Sequence, residues 1–425
     1  MPHALRASVT ALACIVALSA APAVAGAPEP VPGATLDSLL ELARRQNPEW
    51  AALRHDAEAA AQRVTPAGAL PDPTLRVELM DVTNSGSDAA PNLLPSRVGS
   101  TKYTVIQPLP FWGKRDLKRD AAAAEADAAR AAAAAGWIDV AARVKASYAE
   151  YYRATGGVKL TREMLDLAKR VTQLAQARYA SGLVAQQDVL RAQLEQTAMA
   201  GELIAMETEQ HHLRSRINIL LRRPGGAPLS DPLALRALPT LPPTPELQRR
   251  LGESNAQLAM QQFKLLAAEK NSQWVERNRY PDFAVGLAPT QVRRGVSEWG
   301  VMLELNIPLQ QESRRAQERE AEALVAAAQA RREATQTQLL SELSLNIAAL
   351  DAAQRSEELT HSSLAPQAQL NFQAALAAYE NGKLDFATLL EAQRQIRRAR
   401  LDELKSQVEA RMRLADIERL VGEDL

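Results

Sequence analysis

The feature that most constrains this chain is a stretch of 66 residues, from Lys114 to Tyr179, that contains no proline. It is rich in alanine, glutamate, arginine, glutamine and leucine, the residues that cost least in a helix. At ~1.5 Å per residue, one continuous helix of this kind is roughly 100 Å long. Helices of globular domains average about 11 residues. An ordinary globular core therefore cannot account for the stretch, and an elongated structure is predicted.

Apolar side chains recur within this stretch at steps of four and three residues: Leu160, Met164, Leu167, Val171 and Leu174. This spacing is typical of a helix that coils against a neighbouring helix along a heptad seam. The predicted long helix therefore has at least one helical partner.

The chain also repeats itself at an offset of 200 residues. The phrase RYASGLVAQQDVLRAQ, which contains Tyr179 and Gly182, returns as AYENGKLDFATLLEAQ, which contains Tyr379 and Gly382. A glycine just after a helix commonly adopts the left-handed conformation that ends it. Each phrase is therefore predicted to be the tip of a helical hairpin.

The repeats contain the same predicted elements in the same order. The first repeat covers 26–221, a proline-rich connector covers 222–245, and the second repeat covers 246–425. We expect short helices at 35–64 and 245–278, strands at about 74–82, 101–109, 282–289 and 298–309, long helices at 114–180 and 314–380, and return helices at 184–221 and 384–421.

The predicted strands alternate between apolar and polar residues, most clearly where Trp299, Val301, Leu303, Leu305 and Ile307 share one face. A sheet of four such strands leaves two open edges and cannot form a soluble sandwich by itself. In a membrane, a sheet satisfies all of its backbone N–H and C=O groups only when it closes into a barrel. Strands of about 10 residues have the right length for the wall of an outer-membrane barrel. Several chains are therefore expected to share one barrel, although the strands alone do not give their number.

Aromatic residues cluster near the predicted strand ends, at Phe111, Trp112, Tyr280 and Trp299. Tryptophan and tyrosine are enriched where a membrane protein meets the lipid headgroups. We therefore expect these four side chains to lie at the membrane interfaces.

The N-terminus has the pattern of an export signal. An apolar stretch ends in Ala23-Val24-Ala25, which predicts a signal peptide over 1–25 that is cut after Ala25. A lipoprotein signal cut before Cys14, the only cysteine, is the alternative. If the first cleavage is used, the mature protein has no thiol chemistry.

Composition and motifs argue against several functions. Basic and acidic residues balance at 50 each, which gives no reason to expect a nucleic-acid partner. His211-His212 lacks the i, i+4 spacing of helical metal ligands, so a solvated face is favoured over a metal site. Without a catalytic or nucleotide-binding motif, the chain is predicted to be no enzyme and to use no cofactor.

The duplication, the four strands, the two hairpins and the motifs PLPFWGKR and RYxxGLVxxxDVLxAQ together resemble the TolC-like outer membrane efflux proteins. The likeness spans nearly the whole mature chain and implies a mainly α fold with a small β part. In that fold three chains form a 12-stranded β-barrel in the outer membrane of a Gram-negative bacterium, continued by a periplasmic α-barrel. The expected partners are a periplasmic adaptor and an inner-membrane pump of the proton-driven RND type. The short chain and its end at Leu425 are most similar to the heavy-metal and cation efflux branch.

The resemblance also implies that charged and tyrosine side chains at the hairpin tips close the tunnel and receive the adaptor. The candidate tip residues are Arg178, Tyr179, Gly182, Asp188, Tyr379, Glu380, Gly382, Lys383 and Asp385. The alternative for each charged residue is a helix cap that faces water. For the whole chain, the alternative is a soluble periplasmic coiled-coil adaptor or scaffold. The exported substrate is left undetermined by the sequence.

Overall fold

Long antiparallel helices and one small sheet make up the fold in the computed structural model, which describes residues 31–83, 91, 93–95, 97–292 and 295–425. The predicted signal peptide and Cys14 lie outside these residues. In chain order the elements are α1 Leu36–Gln46, α2 Pro48–Gly68, β1 Thr74–Met80, β2 Ser100–Leu109, α3 Lys114–Ala180, α4 Gln186–Leu220, α5 Thr244–Ser254, α6 Ala256–Arg277, β3 Asp282–Val292, β4 Gly295–Asn306, α7 Gln311–Leu359, α8 Ala365–Glu380 and α9 Phe386–Val421.

Each expected short helix is two helices, which corrects the single spans 35–64 and 245–278. Asn47 and Asn255 have extended backbones at the breaks, and their side chains accept hydrogen bonds from Trp50 N and Leu258 N. An asparagine in that position caps a new helix. Pro48 reinforces the first break, because the residue before a proline is pushed out of the helical region.

The expected helix over 314–380 is interrupted just before Pro366, the one proline in that stretch and the interruption that the sequence indicates. After α7 the chain forms a π-helical turn, Thr360–Leu364, in which Ala365 N donates to Thr360 O. Pro366 has no N–H, so the α-helical hydrogen-bond pattern cannot run through it unchanged. A single π turn absorbs the mismatch. By contrast, α3 is one helix of 67 residues.

The sheet is antiparallel throughout, with its strands in the order β1-β2-β3-β4, and the helices α3 to α6 lie between β2 and β3 in the chain. Its register aligns Leu75, Val105, Leu287 and Val301 in one apolar row across the four strands. The bounds differ from those expected, since β1 ends at Met80, β3 extends to Val292 and β4 ends at Asn306. Within the described residues, β1 and β4 each pair on one side only, so both edges of the sheet are open.

The helices pack side by side below the sheet. Near the sheet α3 packs on α2 and α6, and α6 packs on α7; towards the tips α3 packs on α4 and α9, and α9 packs on α7 and α8. One apolar core lies at the tips, and two lie near the middle, where α1 and α5 cover the long helices. Across the described ranges, no helix is both long and apolar enough to span a membrane.

Candidate functional site

The two hairpin tips are built by the same backbone turn. Gly182 and Gly382 have φ of 71° and 70°. Leu183 N donates to Arg178 O, and Lys383 N donates to Ala378 O, each at 2.9 Å. These bonds satisfy carbonyls that the helix end leaves unpaired, as in a Schellman motif. A side chain at either glycine would strain this left-handed backbone.

Arg178 joins the two tips. Its Nη1 donates to Tyr379 O at 2.6 Å and to Glu380 O at 2.9 Å, which are carbonyls at the end of α8. Its guanidinium carbon also lies 5.0 Å from the centre of the Tyr379 ring. A cation at a helix C-terminus is favourable because it meets the negative end of the helix dipole. Arg178 therefore acts as a clamp between the first hairpin and the second.

Tyr379 is the buried centre of the tips, with 1% of its surface exposed. Its ring meets Phe386 edge-on at a centroid distance of 5.7 Å. Its hydroxyl is buried and has no hydrogen-bond partner among the described residues. Burial raises the pKa of this phenol above its ordinary value, against the opposing effect of Arg178. The neutral phenol therefore persists to higher pH than that of a free tyrosine.

The other candidate tip residues have different surroundings. Tyr179 is exposed. Asp385 occupies the N-cap position of α9 without a side-chain bond to the helix backbone, and its Oδ1 accepts a bond from Thr388 Oγ1. Asp188 lies in the first turn of α4, and its carboxylate has no hydrogen-bond partner within the described part of the chain. Glu380 contributes its backbone carbonyl to the Arg178 clamp, and Lys383 contributes its N–H to the turn.

A buried carboxylate in the middle of the molecule was missed by the sequence reasoning. Glu418 accepts from Lys145 Nζ at 2.5 Å and from Arg236 Nη1 at 2.6 Å. It thereby ties α9 to α3 and to the proline-rich connector. The heptad pattern assigns acidic residues to a wet face, so no sequence signal marked this one as buried.

A second missed feature occurs in both repeats. Asn47 Nδ2 donates to Leu220 O at 3.1 Å, and Asn255 Nδ2 donates to Leu420 O at 2.8 Å. Each asparagine thus caps its own helix and holds the end of a return helix. The asparagine inside each predicted short helix, Asn47 and Asn255, was the signal that could have found them, because asparagine is favoured at the start of a helix.

Three of the four expected interface aromatics meet where the sheet joins the helices. Phe111 stacks on Tyr280 at a centroid distance of 4.6 Å, and Trp112 contacts Phe283 at 5.8 Å. Lys114 Nζ stabilises this junction, because it donates to Tyr280 O at 3.0 Å and to Asp282 Oδ1 at 2.8 Å. Trp299 instead pairs with Pro289, towards the opposite end of the sheet. Leu305 lies six positions after Trp299, which is about 20 Å along a strand at ~3.4 Å per residue.

One face of the sheet carries exposed apolar side chains from all four strands, which we call the outward face: Leu75, Val77, Val105, Leu109, Val285, Leu287, Trp299, Val301, Leu303 and Leu305. Val301, for example, is 80% exposed. The opposite face carries Lys102, Glu298 and Glu304. Monomeric soluble proteins rarely expose a contiguous apolar patch of this size to water. The outward face therefore fits an apolar environment.

The described residues contain no group of three or more histidine, cysteine, aspartate or glutamate side chains that could hold a metal ion. The rings of His211 and His212 lie 6.3 Å apart, and Arg214 Nη2 contacts His211 Nδ1 at 2.9 Å. The pair therefore belongs to a charged helix surface.

Several solved outer-membrane channels share this fold. OprN is 21% identical, with 91% of this chain and 89% of that chain covered and a TM-score of 0.78. VceC of Vibrio cholerae is 18% identical, with 91% and 96% covered and a TM-score of 0.77. MtrE of Neisseria gonorrhoeae, solved in its open state, is 16% identical, with 92% and 89% covered and a TM-score of 0.77. At these identities the matches confirm the fold, mainly helical with a small four-stranded sheet.

Sequence comparison with curated proteins finds no significant match. The sequence profile described as outer membrane efflux protein matches residues 39–219 and 247–423, which is most of the chain. The chain therefore belongs to the outer membrane efflux protein family, whose members are transporters and not enzymes.

Proposed function

We propose that this protein is the outer-membrane exit channel of a tripartite efflux system. It passively conducts substrate from a periplasmic adaptor and an inner-membrane pump of the proton-driven RND type to the outside. It acts as a homotrimer in the outer membrane of a Gram-negative bacterium, with its helices in the periplasm. The observation that carries the proposal is the small sheet with an apolar outward face and two open edges.

The open edges support assembly with identical chains. An edge strand presents unpaired N–H and C=O groups, and no lipid can satisfy them. Pairing β4 of one chain with β1 of the next satisfies both edges and leaves the outward face towards lipid. Barrels with a water-filled lumen need far more than four strands. A trimer with twelve strands fits this need and the trimeric assembly of the family.

The helices support the same assembly. Within the described residues, α4 packs mainly on α3, and α8 packs mainly on α9, so both lie at the borders of the helical layer. Exposed apolar side chains occur along both borders: Leu190, Leu194, Ile204 and Ile219 on α4, and Leu324, Leu345, Leu359 and Leu370 on α7 and α8. Two different borders that meet head to tail generate a closed ring.

The assembly is tested by mass and membrane association. The detergent-extracted protein is expected to have the mass of three chains, to stay with outer membranes after a carbonate wash, and to form ion-conducting pores in planar bilayers. A monomer that the wash releases would favour the soluble adaptor or scaffold.

We further propose that the tips form the gate and the adaptor contact. Asp188 supports this role, because its carboxylate is free of intrachain hydrogen bonds in the described residues and can meet a neighbouring chain. A ring of charged hydrogen bonds, each worth about 1.5–3 kcal/mol, would hold a closed state. Replacing Asp188 and Asp385 together by asparagine is expected to raise single-channel conductance. Unchanged conductance would rule out the gating role.

For the substrate we propose heavy-metal cations, which are conducted without being coordinated. This proposal follows the resemblance of the sequence to the heavy-metal and cation efflux branch. Deletion of the gene is expected to sensitise cells to heavy-metal salts more than to organic antibiotics. The opposite order of sensitivity would assign the channel to another branch.

A further inference from the structure

A groove lies on the outward face where the sheet meets the helices. Its volume is about 440 Å³, and its walls include Leu109, Phe111 and Trp112 on one side and Phe283, Val285 and Leu303 on the other. These strand residues also belong to the apolar surface of the sheet or continue it. The groove is therefore continuous with the surface that the proposed function places against lipid.

The groove is fixed before anything binds. Phe111 is held by its stacking on Tyr280 and by its N–H, which donates to Asp282 Oδ1 at 2.8 Å. Trp112 contacts the rings of both Phe111 and Phe283, yet it is 75% exposed. A preformed apolar groove binds with a smaller entropic cost than one that must be ordered.

The groove also has a polar end, formed by Arg115 and Asp116. Arg115 is held in place because its Nε and Nη2 donate to Gly68 O at 3.0 and 2.8 Å. Asp116 is exposed, and its nearest cation, Arg119, is 3.5 Å away. A positive and a negative side chain thus stand next to each other where the apolar walls end.

We propose that this groove binds one phospholipid of the periplasmic leaflet whose headgroup carries both a phosphate and a primary amine. An acyl chain lies along Phe283, Val285 and Leu303, the phosphate meets Arg115, and the amine meets Asp116. The charge pair matches such a zwitterionic headgroup, since arginine binds phosphate well and a carboxylate binds an ammonium. An anionic lipid without an amine would leave Asp116 facing negative charge.

In the proposed trimer, neighbouring chains do not compete for this groove. Its walls come from the outward face, whereas neighbouring chains join through the strand edges in the sheet plane. The inference rests on the proposed function, because the groove meets lipid only if the strands enter the membrane.

Native mass spectrometry of the assembled protein tests the inference. The protein is incubated in detergent with equal amounts of phosphatidylethanolamine, phosphatidylglycerol and phosphatidylcholine. We expect it to retain phosphatidylethanolamine preferentially. Trp112→Ala is expected to lower that retention about tenfold, because it removes an apolar wall. Trp299→Ala is the matched control, since it removes an exposed tryptophan from the other end of the sheet.

Asp116→Asn tests the headgroup contact separately. It is expected to remove the preference for phosphatidylethanolamine over phosphatidylcholine while total lipid retention stays the same. Equal retention of the three lipids, or equal losses in Trp112→Ala and Trp299→Ala, would overturn the inference. If such a protein still conducts in planar bilayers, the proposed function survives and only the lipid site fails. A protein that does not enter bilayers would refute both.

Discussion

The two hairpin tips have almost the same sequence pattern but different surroundings. Tyr379 is 1% exposed, whereas Tyr179 is 46% exposed; Leu390 is 9% exposed, whereas Leu190 is 56% exposed. For the leucines the difference follows from position in the layer, because α9 lies between α3 and α8 while α4 lies at a border. Tyr379 lies on α8 and is covered by Phe386 of α9 and by the guanidinium of Arg178. A duplicated sequence therefore gives one tip that is completed within the chain and one that still presents a surface.

The clamp between the tips is also present only once. Arg178 caps the end of α8, but its counterpart in the second repeat is Ala378. The second hairpin thus cannot clamp a following hairpin in the same way. In the proposed trimer, the contact between chains at the tip therefore lacks this arginine clamp.

The largest loss of unfolding free energy is expected on substitution of Glu418, compared with its counterpart Asn218 in the first repeat. Glu418 is buried between Lys145 and Arg236, whereas Asn218 donates to the carbonyls of Gly225 and Ala227. Removing one partner of a buried ion pair costs about 3–5 kcal/mol. Glu418→Gln should lower the free energy of unfolding by about 3 kcal/mol, measured by urea denaturation of the detergent-solubilised protein.

Asn218→Ala is the matched control for that experiment. It removes the bonds to the carbonyls of Gly225 and Ala227 and one bond that Asn218 Oδ1 accepts from Arg223 Nη1 at 3.1 Å. Because the side chain itself carries no charge, the loss should be smaller, about 1–2 kcal/mol. If the two variants lose the same stability, the charge at position 418 contributes nothing beyond a hydrogen bond.

The next largest effect is expected at Leu390 and Leu190. Leu390→Ala should lower the free energy of unfolding of the chain by about 2–4 kcal/mol, because it leaves a cavity in the tip core. Leu190→Ala should change that stability by less than about 0.5 kcal/mol, as surface substitutions do. It should instead reduce the trimer fraction in size-exclusion chromatography. A larger loss of stability in Leu190→Ala than in Leu390→Ala would show that burial within the single chain does not decide which leucine stabilises it.

A smaller and local effect is expected at the clamp. Arg178→Ala removes charge-assisted hydrogen bonds worth about 1.5–3 kcal/mol, so the amides of the second tip should exchange roughly 10–100 times faster. Hydrogen exchange of Asn381, Gly382 and Lys383 measures this. Arg170→Ala, on the exposed side of α3, should leave these rates unchanged. Unchanged exchange in Arg178→Ala as well would contradict the clamp.

The smallest effect on stability is expected at the π turn between α7 and α8, which has no counterpart in α3. His361, in that turn, contacts Glu403 Oε1 of α9 at 2.7 Å. The hydrogen bond to Glu403 raises the pKa of His361 above its ordinary value of 6.5. Because the folded-state pKa is raised, the pair stabilises fully below about pH 6.5 and loses that effect as pH rises through the folded-state pKa.

Melting temperatures test this pH dependence. The melting temperature of the wild type should be slightly higher than that of His361→Gln at pH 5.5, and the two melting temperatures should be equal at pH 9. A difference that is the same at both pH values would mean that the contact does not depend on the charge of His361.

The sequence by itself determined the elements that depend on local rules. Residue propensity determined the long helices, the two glycines determined the turns at 182 and 382, and alternation determined the four strands. It missed the breaks at Asn47 and Asn255, because a capping asparagine ends one helix and starts the next without disturbing the helical composition. Pro366 marked the interruption of the second long helix, and only the structure shows that it takes the form of a π turn at Thr360–Leu364.

Only the tertiary structure decided which copy of a repeated residue is buried and which charges meet. Tyr179 and Tyr379 have the same local signal, but burial depends on which helices lie beside each of them. Arg178 and Glu418 find their partners 201 and 273 residues away, at Tyr379 and Lys145. Periodicity assigns a residue to a face of a helix, and it carries no information about the element that the face will meet.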